Sequence, residues 1–593
     1  MTRFRALLLS AAVALPLAPA VAVDKTADKW AQAVEALRGT SAPRQLGTSE
    51  RDGYREVFAA IRGERWSEAS ARLDSMREGP LHAIARAELY LAKGSPRVER
   101  EPLLALVAQA PDMPQAVQLG RLAETRGAEE LPSIPAAQTL VWAGEQPRRA
   151  RARSVKGDAV AAELEALVQP LIVADQPAAA EALLDERQAL LSPEALTEYQ
   201  QRIAWSYYLV GNDPSAVRLA GRARAGSGEW ALQGEWVAGL AAWRQRDCKA
   251  AADRFAAVGA RAGDIELSAA GHYWAARADM MCGRPQHVQA RLRAASRHKE
   301  TFYGLLAASA LGVKAPAATG LHDYRDAEWK AIAGRTNVKA ALALAEIGER
   351  KLAEETIKHQ ARISPSDHEA LIHLAHKLNL ASTQFWLAHN APRGKSVNFA
   401  ARYPAPDWRP TKGWRVDPAL VFAHALQESN FRTEVVSPAG AQGLMQVRPG
   451  TAGDIARSRG EPFSRDQLND PAQNIEFGQS YLEYLRDHSG TGGLLPKVIA
   501  AYNAGPAPIA EWNTRQMDKG DPLLYIESIP YWETRGYVPI ILRNYWVYEQ
   551  KAGKQGSSRQ ALAQGLWPRF PGLPGATAVR IEPPSRLAAY GSQ

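Results

Sequence analysis

The sequence predicts an all-α protein. Three observations point that way. Alanine is abundant along most of the chain, the apolar–polar alternation of half-buried strands is absent, and the turns between apolar stretches are short. Lys93-Gly94-Ser95-Pro96, Val210-Gly211-Asn212-Asp213-Pro214 and Ala225-Gly226-Ser227-Gly228 are turns of this kind.

The first element is a leader. Met1-Thr2-Arg3-Phe4-Arg5 is a basic head, residues 6–18 are apolar, and Ala20-Val21-Ala22 fits the small-x-small cleavage rule. Residues 1–22 are therefore expected to be a signal peptide cleaved near Ala22. A membrane anchor is the weaker reading, because the run is short and holds Pro16 and Pro19. Removing 22 of 593 residues leaves 571, enough for three or four domains, and lowers the formal net charge from +9 to +7. A diffuse basic excess of this size suits an acidic polymer or surface. With no Lys/Arg run interleaved with aromatics, it gives no support to nucleic-acid binding. No other stretch is apolar enough to suggest a membrane span.

Residues 23–300 follow as helix after helix and are expected to form an α-superhelical domain. Trp236–Trp243 followed by Cys248–Phe255 resembles a degenerate helix-turn-helix repeat. Cys248 and Cys282 lie 34 residues apart, one repeat length, and in an exported chain the pair is expected to form a disulfide. Two buried free thiols is the alternative. No metal site is expected, because no CxxC or paired-His spacing accompanies them. A break at 313–320 and a second helical block over about 326–391 define residues 301–404, closed by Tyr403-Pro404-Ala405-Pro406. A compact helical domain is expected over 405–555. Residues 556–593, rich in Pro, Gly and Ser, are expected to be an irregular tail.

The chemistry concentrates in 405–555. Asp417-Pro418 reads as an N-cap with proline at the first helical position. The run Ala419 to Leu426 is apolar almost all round, so the helix should be buried on most sides. Glu428 falls in its last turn and Asn430 can end it. Burial and the negative helix end both disfavour a charged carboxyl there, which suits a general acid. His424, one turn earlier, reads as a core histidine. Beyond a Ser437-to-Gly443 loop, Met445 offers an apolar wall and Gln446 an amide suited to sugar hydroxyls. Tyr502 and Asn503 sit at a helix end before Gly505-Pro506, placed to bond sugar or orient the acid. Residues 525–538 combine aromatics with Glu527 and Glu533.

Gln427-Glu428-Ser429, Ser437-Pro438-x-Gly440-Ala441-x-Gly443-Leu444-Met445-Gln446-Val447-x-Pro449-x-Thr451-Ala452, Ala501-Tyr502-Asn503-Ala504-Gly505 and Ile529-Pro530-x-x-Glu533-Thr534-Arg535-x-Tyr537-Val538 are similar to the motifs of the soluble lytic transglycosylases of Gram-negative bacteria. The resemblance implies a ring-like superhelix, a helical linker domain over 301–404 and a lysozyme-like catalytic domain, in the periplasm. It implies peptidoglycan glycan strands as substrate and names cell-wall synthesis proteins as candidate partners. It makes Glu428 the catalytic acid of a reaction that forms 1,6-anhydromuramyl ends. It places Ser429, Met445, Gln446, Tyr502 and Asn503 in the substrate groove, with Glu533 and Tyr537 in support.

Glycosidases usually employ two carboxylates, and none is evident beside Glu428; Glu434 and Asp454 come next in sequence. One alternative is therefore a lysozyme-type hydrolase with Glu434, Glu527 or Glu533 as partner. The other is a non-catalytic peptidoglycan-associated scaffold. No phosphate loop or acidic metal cluster is present, and no cofactor is implied.

Overall fold

The computed structural model describes residues 43–144, 146–313, 326–395, 399–515 and 517–582. The signal-peptide expectation for 1–22 and most of the expected break at 313–320 lie outside them. Five helices come first: α1 (Thr48–Arg62), α2 (Trp66–Ser75), α3 (His82–Leu91), α4 (Arg100–Gln109) and α5 (Ala116–Thr125). An extended segment with β1 (Val141–Trp142) leads to the superhelical stack. The stack comprises α6 (Ala159–Val173), α7 (Pro177–Arg187), α8 (Pro193–Leu209), α9 (Asp213–Arg224), α10 (Gly228–Arg244), α11 (Cys248–Arg261), α12 (Ile265–Met281), α13 (Pro285–Ser296) and α14 (Phe302–Ala310). Next are α15 (Asp326–Ile332), α16 (Thr336–Ile347), α17 (Arg350–Ile363), α18 (His368–Lys377), α19 (Ala381–His389) and β2 (Asn390–Ala391). The last block holds α20 (Pro418–Ser429), α21 (Pro449–Ser458), α22 (Pro471–Asp487), α23 (Leu495–Ala504), α24 (Pro506–Thr514), α25 (Pro522–Glu527), α26 (Trp532–Lys551) and α27 (Ser557–Ala563). It closes with β3 (Trp567–Pro568) and β4 (Ala578–Val579).

Caps explain many of these boundaries. Asp158, Ser192, Asn212, Asp247 and Asp264 each accept a backbone N–H of the helix they precede, satisfying a donor the helix itself leaves unpaired. Alanine does the packing within the stack: Ala238, Ala241, Ala251, Ala252, Ala269, Ala270 and Ala275 are buried between α10, α11 and α12. Cys248 and Cys282 are joined in a disulfide that ties the start of α11 to the end of α12, with Cα atoms 5.5 Å apart. Replacing both cysteines with serine is expected to lower stability by about 2–4 kcal/mol through the freed loop of the unfolded chain. A denaturation midpoint measured with and without reductant checks this, and the serine variant should show no further response to reductant.

The cores divide differently from the expected domains. One apolar cluster joins residues from 46–123 to residues from 332–401, so α1–α5 pack on α16–α19 and not on the stack that follows them. Polar contacts reinforce the junction: Asn337 Nδ2 donates to Asp112 O (2.7 Å) and Arg55 to Glu346 O (3.2 Å). The second cluster joins the stack to the last block. The boundary expected at 301 also moves. Tyr303 accepts the Trp274 indole N–H (2.9 Å) and Phe302 stacks on Trp546 at 5.1 Å, which makes α14 the last helix of the stack.

The tail corrects a further expectation. Far from irregular throughout, it forms α27 and the antiparallel β3–β4 pair, and Leu562, Trp567 and Phe570 are buried. Trp567 Nε1 donates to Gly520 O (2.8 Å) and Lys497 Nζ lies over its ring, so aromatic burial outweighs the local Pro and Gly content.

The extended segment between α5 and α6 acts as a strap. Its Gln138 N–H bonds Arg362 O, and β1 pairs antiparallel with β2 at Val141↔Ala391 and Trp142↔Asn390. Arg149 then forms a bidentate pair with Glu527 (2.7 and 3.1 Å), and Arg153 N–H reaches Glu229 (3.2 Å). The strap thereby touches both cores and the last block.

Candidate active site

Glu428 rides on α20, whose residues from Pro418 to Leu426 are all buried. Asp417 caps the helix through Ala419 N–H (3.0 Å). Asn430 ends it in the left-handed conformation at φ 52°, which asparagine tolerates better than most residues. Phe431 follows at φ 63°, a strained value for a bulky side chain, and is held there by burial against Trp408 and Phe422. This turn fixes the end of the helix at Glu428.

The Glu428 carboxyl is half-buried and accepts the Tyr537 hydroxyl at 2.5 Å. Burial raises its pKa to about 7, the Tyr537 hydrogen bond pulls it down, and the negative charge of Glu533 pushes it up. Tyr537 and Tyr502 are pushed well above the usual phenol range, first by burial and then by the Glu428 charge, so both remain donors. His424 lies in the core beneath them. Its Nδ1 bonds Leu420 O (2.9 Å), its ring packs on Tyr502 (4.7 Å), and burial lowers it to about 4. It is neutral at pH 7 and forms part of the apolar bed.

The loop beside Glu428 is pinned from below. Asn474 on α22 is fully buried with its amide satisfied: Oδ1 accepts Met445 N–H, and Nδ2 donates to Gln442 O and Leu468 O. Gly443 sits at φ 76°, where a Cβ would lie 2.1 Å from Leu468 O, so this position requires glycine. Gly478 on α22 similarly admits Met445, whose Sδ would be 2.2 Å from an added Cβ. Gln446 takes φ 49° and donates from Nε2 to Val435 O (3.1 Å) and Gly443 O (2.8 Å). Backbone strain of this kind persists only where the surroundings over-determine it.

The expected site residues therefore separate into two groups. Glu428, Tyr537, Tyr502 and Glu533 come together around the end of α20, with Gln446 and Asn503 on the neighbouring loop and helix. Tyr502 donates to Met445 O (2.8 Å), tying α23 to the loop, and Asn503 Oδ1 accepts the Thr534 hydroxyl (2.6 Å), tying α23 to α26. Ser429 and Met445 form the second group, with buried side chains: Ser429 donates to Ala425 O (3.1 Å), and Met445 fills the notch at Gly478. Among the candidate second carboxylates, Glu434 is exposed, Asp454 pairs with Arg457 (2.7 Å) and Glu527 is taken by Arg149. Glu533 is exposed and acts on Glu428 through its charge. No cluster of three or more metal-ligating side chains occurs among the described residues. Sequence reasoning missed Asn474 and Thr534, polar residues whose tasks lie across helix contacts.

Comparison with known proteins adds the following. Residues 409–524 match the Transglycosylase SLT domain. A 136-residue stretch is 40% identical to the soluble lytic murein transglycosylase of Escherichia coli K12, covering 23% of this chain and 21% of that protein. A 149-residue stretch is 38% identical to the corresponding protein of Salmonella typhimurium, covering 25% and 23%. The matched part thus spans under a quarter of these relatives' length. In structure, the chain is similar to the 70 kDa soluble lytic transglycosylase of E. coli, with a TM-score of 0.51 at 17% identity over 88% of this chain and 99% of that one. It is also similar to an inactive mutant of lytic transglycosylase Slt from Pseudomonas aeruginosa, with a TM-score of 0.50 at 21% identity over 90% and 80%. These likenesses extend the shared fold over most of the molecule.

Proposed function

We propose that this chain, whose residues 409–524 match the Transglycosylase SLT domain, is a soluble lytic transglycosylase acting on peptidoglycan in the periplasm. It cleaves the β-1,4 bond between N-acetylmuramic acid and N-acetylglucosamine and leaves a 1,6-anhydromuramyl end. One observation carries this reading: a single carboxyl, raised to about 7 and anchored by a tyrosine hydroxyl, with every other nearby acid exposed or paired elsewhere.

The chemistry runs as follows in this proposal. Tyr537 occupies Oε1 of Glu428, leaving Oε2 to carry the proton. That proton passes to the glycosidic oxygen as its bond to the muramyl C1 breaks, and the N-acetylglucosamine leaves with a free O4 hydroxyl. Glu428, now a carboxylate, takes the proton of the muramyl C6 hydroxyl as O6 bonds C1. The carboxyl is regained and no water is consumed. Because nucleophile and electrophile belong to one ring, orientation alone supplies much of the rate. Gln446 spends its NH2 on two backbone carbonyls and offers its amide oxygen to a sugar hydroxyl. Asn503 spends Oδ1 on Thr534 and offers its NH2 to an acceptor such as an N-acetyl carbonyl. Met445 and Ser429 act from beneath, holding the loop and the helix end.

The lack of any helix among the described residues long and apolar enough to cross a membrane fits this reading, as does the N-terminal leader pattern. The deciding experiment is mass spectrometry of muropeptides released from purified sacculi. Anhydromuramyl ends, one water lighter than reducing ends, are the expected product. Reducing ends would replace the proposal with hydrolysis assisted by Glu533, and no release at all would favour the scaffold.

A further inference from the structure

We propose that Tyr484 forms an outlying saccharide subsite, at the far end of a line of rings that begins beside Glu428. This rests on reading the Glu428 site as a glycan groove. On α22, Gly478, Tyr481 and Tyr484 are three residues apart and share one face of the helix. Gly478 receives Met445 of the active-site loop. Tyr481 packs against Tyr502 with ring centroids 5.4 Å apart. Tyr484 lies nearly parallel to Tyr481, at 6.1 Å and 14°, and His488 closes the line edge-on at 6.0 Å.

Tyr502 in turn packs on His424 at 4.7 Å, and His424 lies 6.1 Å from Tyr537, which bonds the acid. Ring contacts therefore run without a break from Tyr537 beside the acid, through the buried His424, to the end of α22. The run changes character along the way: Tyr537 is buried, Tyr502 and Tyr481 are half-buried, and Tyr484 is 55% exposed. A single exposed tyrosine is ordinary. What distinguishes Tyr484 is its place as the most exposed tyrosine of a run of ring contacts that leads back to Tyr502 and the site. Gly478 and Tyr484 are about 9 Å apart along the helix axis at 1.5 Å per residue, which carries the platform outward from the acid. The amphipathic ring suits the C–H face of a pyranose, with the phenol free to bond a hydroxyl. The occupant is a sugar of the same strand, remote from the bond being cut.

The test compares long glycan strands with a tetrasaccharide, measuring kcat/KM for product release by wild type, Tyr484→Ala and Tyr484→Trp. In Tyr484→Ala the strand-to-tetrasaccharide ratio should fall about fivefold, the size of one aromatic contact, while Tyr484→Trp should keep or raise it. An unchanged ratio in Tyr484→Ala overturns the subsite, as does an equal loss on both substrates. Failure of the parent reading shows differently, in the wild type: reducing ends would change the reaction class yet leave the ratio to judge the subsite. If the wild type releases nothing, the same ratio is taken from dissociation constants of Glu428→Gln with and without Tyr484→Ala.

Discussion

Glu428→Gln is expected to lose roughly a thousandfold or more in release of anhydromuramyl ends while becoming more stable above pH 7. The two effects have one cause. The native carboxyl titrates near 7, whereas an unfolded glutamate titrates near its ordinary value of 4.5. Between those values the folded protein holds a proton that the unfolded chain has released. Stability therefore falls as pH rises from 4.5, and the whole penalty is present above 7. After discounting for the partial exposure of the group, the penalty is about 2 kcal/mol. Glutamine is neutral at every pH and can still accept the Tyr537 hydroxyl. Melting curves of wild type and variant should diverge at pH 8 and converge by about pH 4. Wild-type kcat/KM should decline above pH 7, as the acid form is lost. A variant retaining a tenth of the activity would place the essential proton on another group.

The second large effect is expected at the junction of strap and catalytic block. Glu527→Ala should cost about 3–5 kcal/mol, because it leaves the Arg149 guanidinium buried without its counter-charge. Glu527 also accepts the Tyr303 hydroxyl at 2.6 Å, and Arg149 lies over the Trp236 ring at 4.5 Å, so one carboxyl couples strap, stack and catalytic block. Limited proteolysis of the variant should open the strap before the helices on either side of it. The pair Arg149→Met with Glu527→Leu should recover part of the loss, since a packed apolar contact can replace a buried ion pair though Tyr303 loses its acceptor. A cost under about 1 kcal/mol would mean that the pair behaves like a surface salt bridge.

The catalytic helix was legible because its determinants are local. Asp417-Pro418 marked its start, an almost wholly apolar run predicted burial on most sides, and Asn430 marked its end. From burial followed the direction of the Glu428 shift. Tyr502 and Asn503 were reached from their place at a helix end and Tyr537 through the motif resemblance, and their hydrogen bonds required the structure. The burial of Met445 and Ser429 was not legible, because a motif position does not say whether a side chain is exposed or packed from behind; the notch at Gly478 lies 33 residues beyond Met445 and is visible only once α22 is in place. The Arg149–Glu527 pair spans 378 residues and has no local signature. The division of the cores was hidden for the same reason: α1–α5 and α16–α19 are ordinary amphipathic helices, and nothing in a repeat pattern names a partner from the opposite end of the array.

The shared core of α1–α5 and α16–α19 also dictates an order of events at birth. Its two halves are separated by the entire stack, from the end of the first at residue 123 to the start of the second at 332. The earliest helices therefore cannot bury their apolar faces as they emerge, and must wait while some two hundred further residues arrive. The stack, built from neighbour-to-neighbour contacts, can condense during that wait. Closure of the distant halves then becomes the slow step, limited by long-range pairing rather than helix formation. Until it occurs, residues 46–123 present apolar surface that their final partner does not yet cover, making them the segment most in need of protection from aggregation.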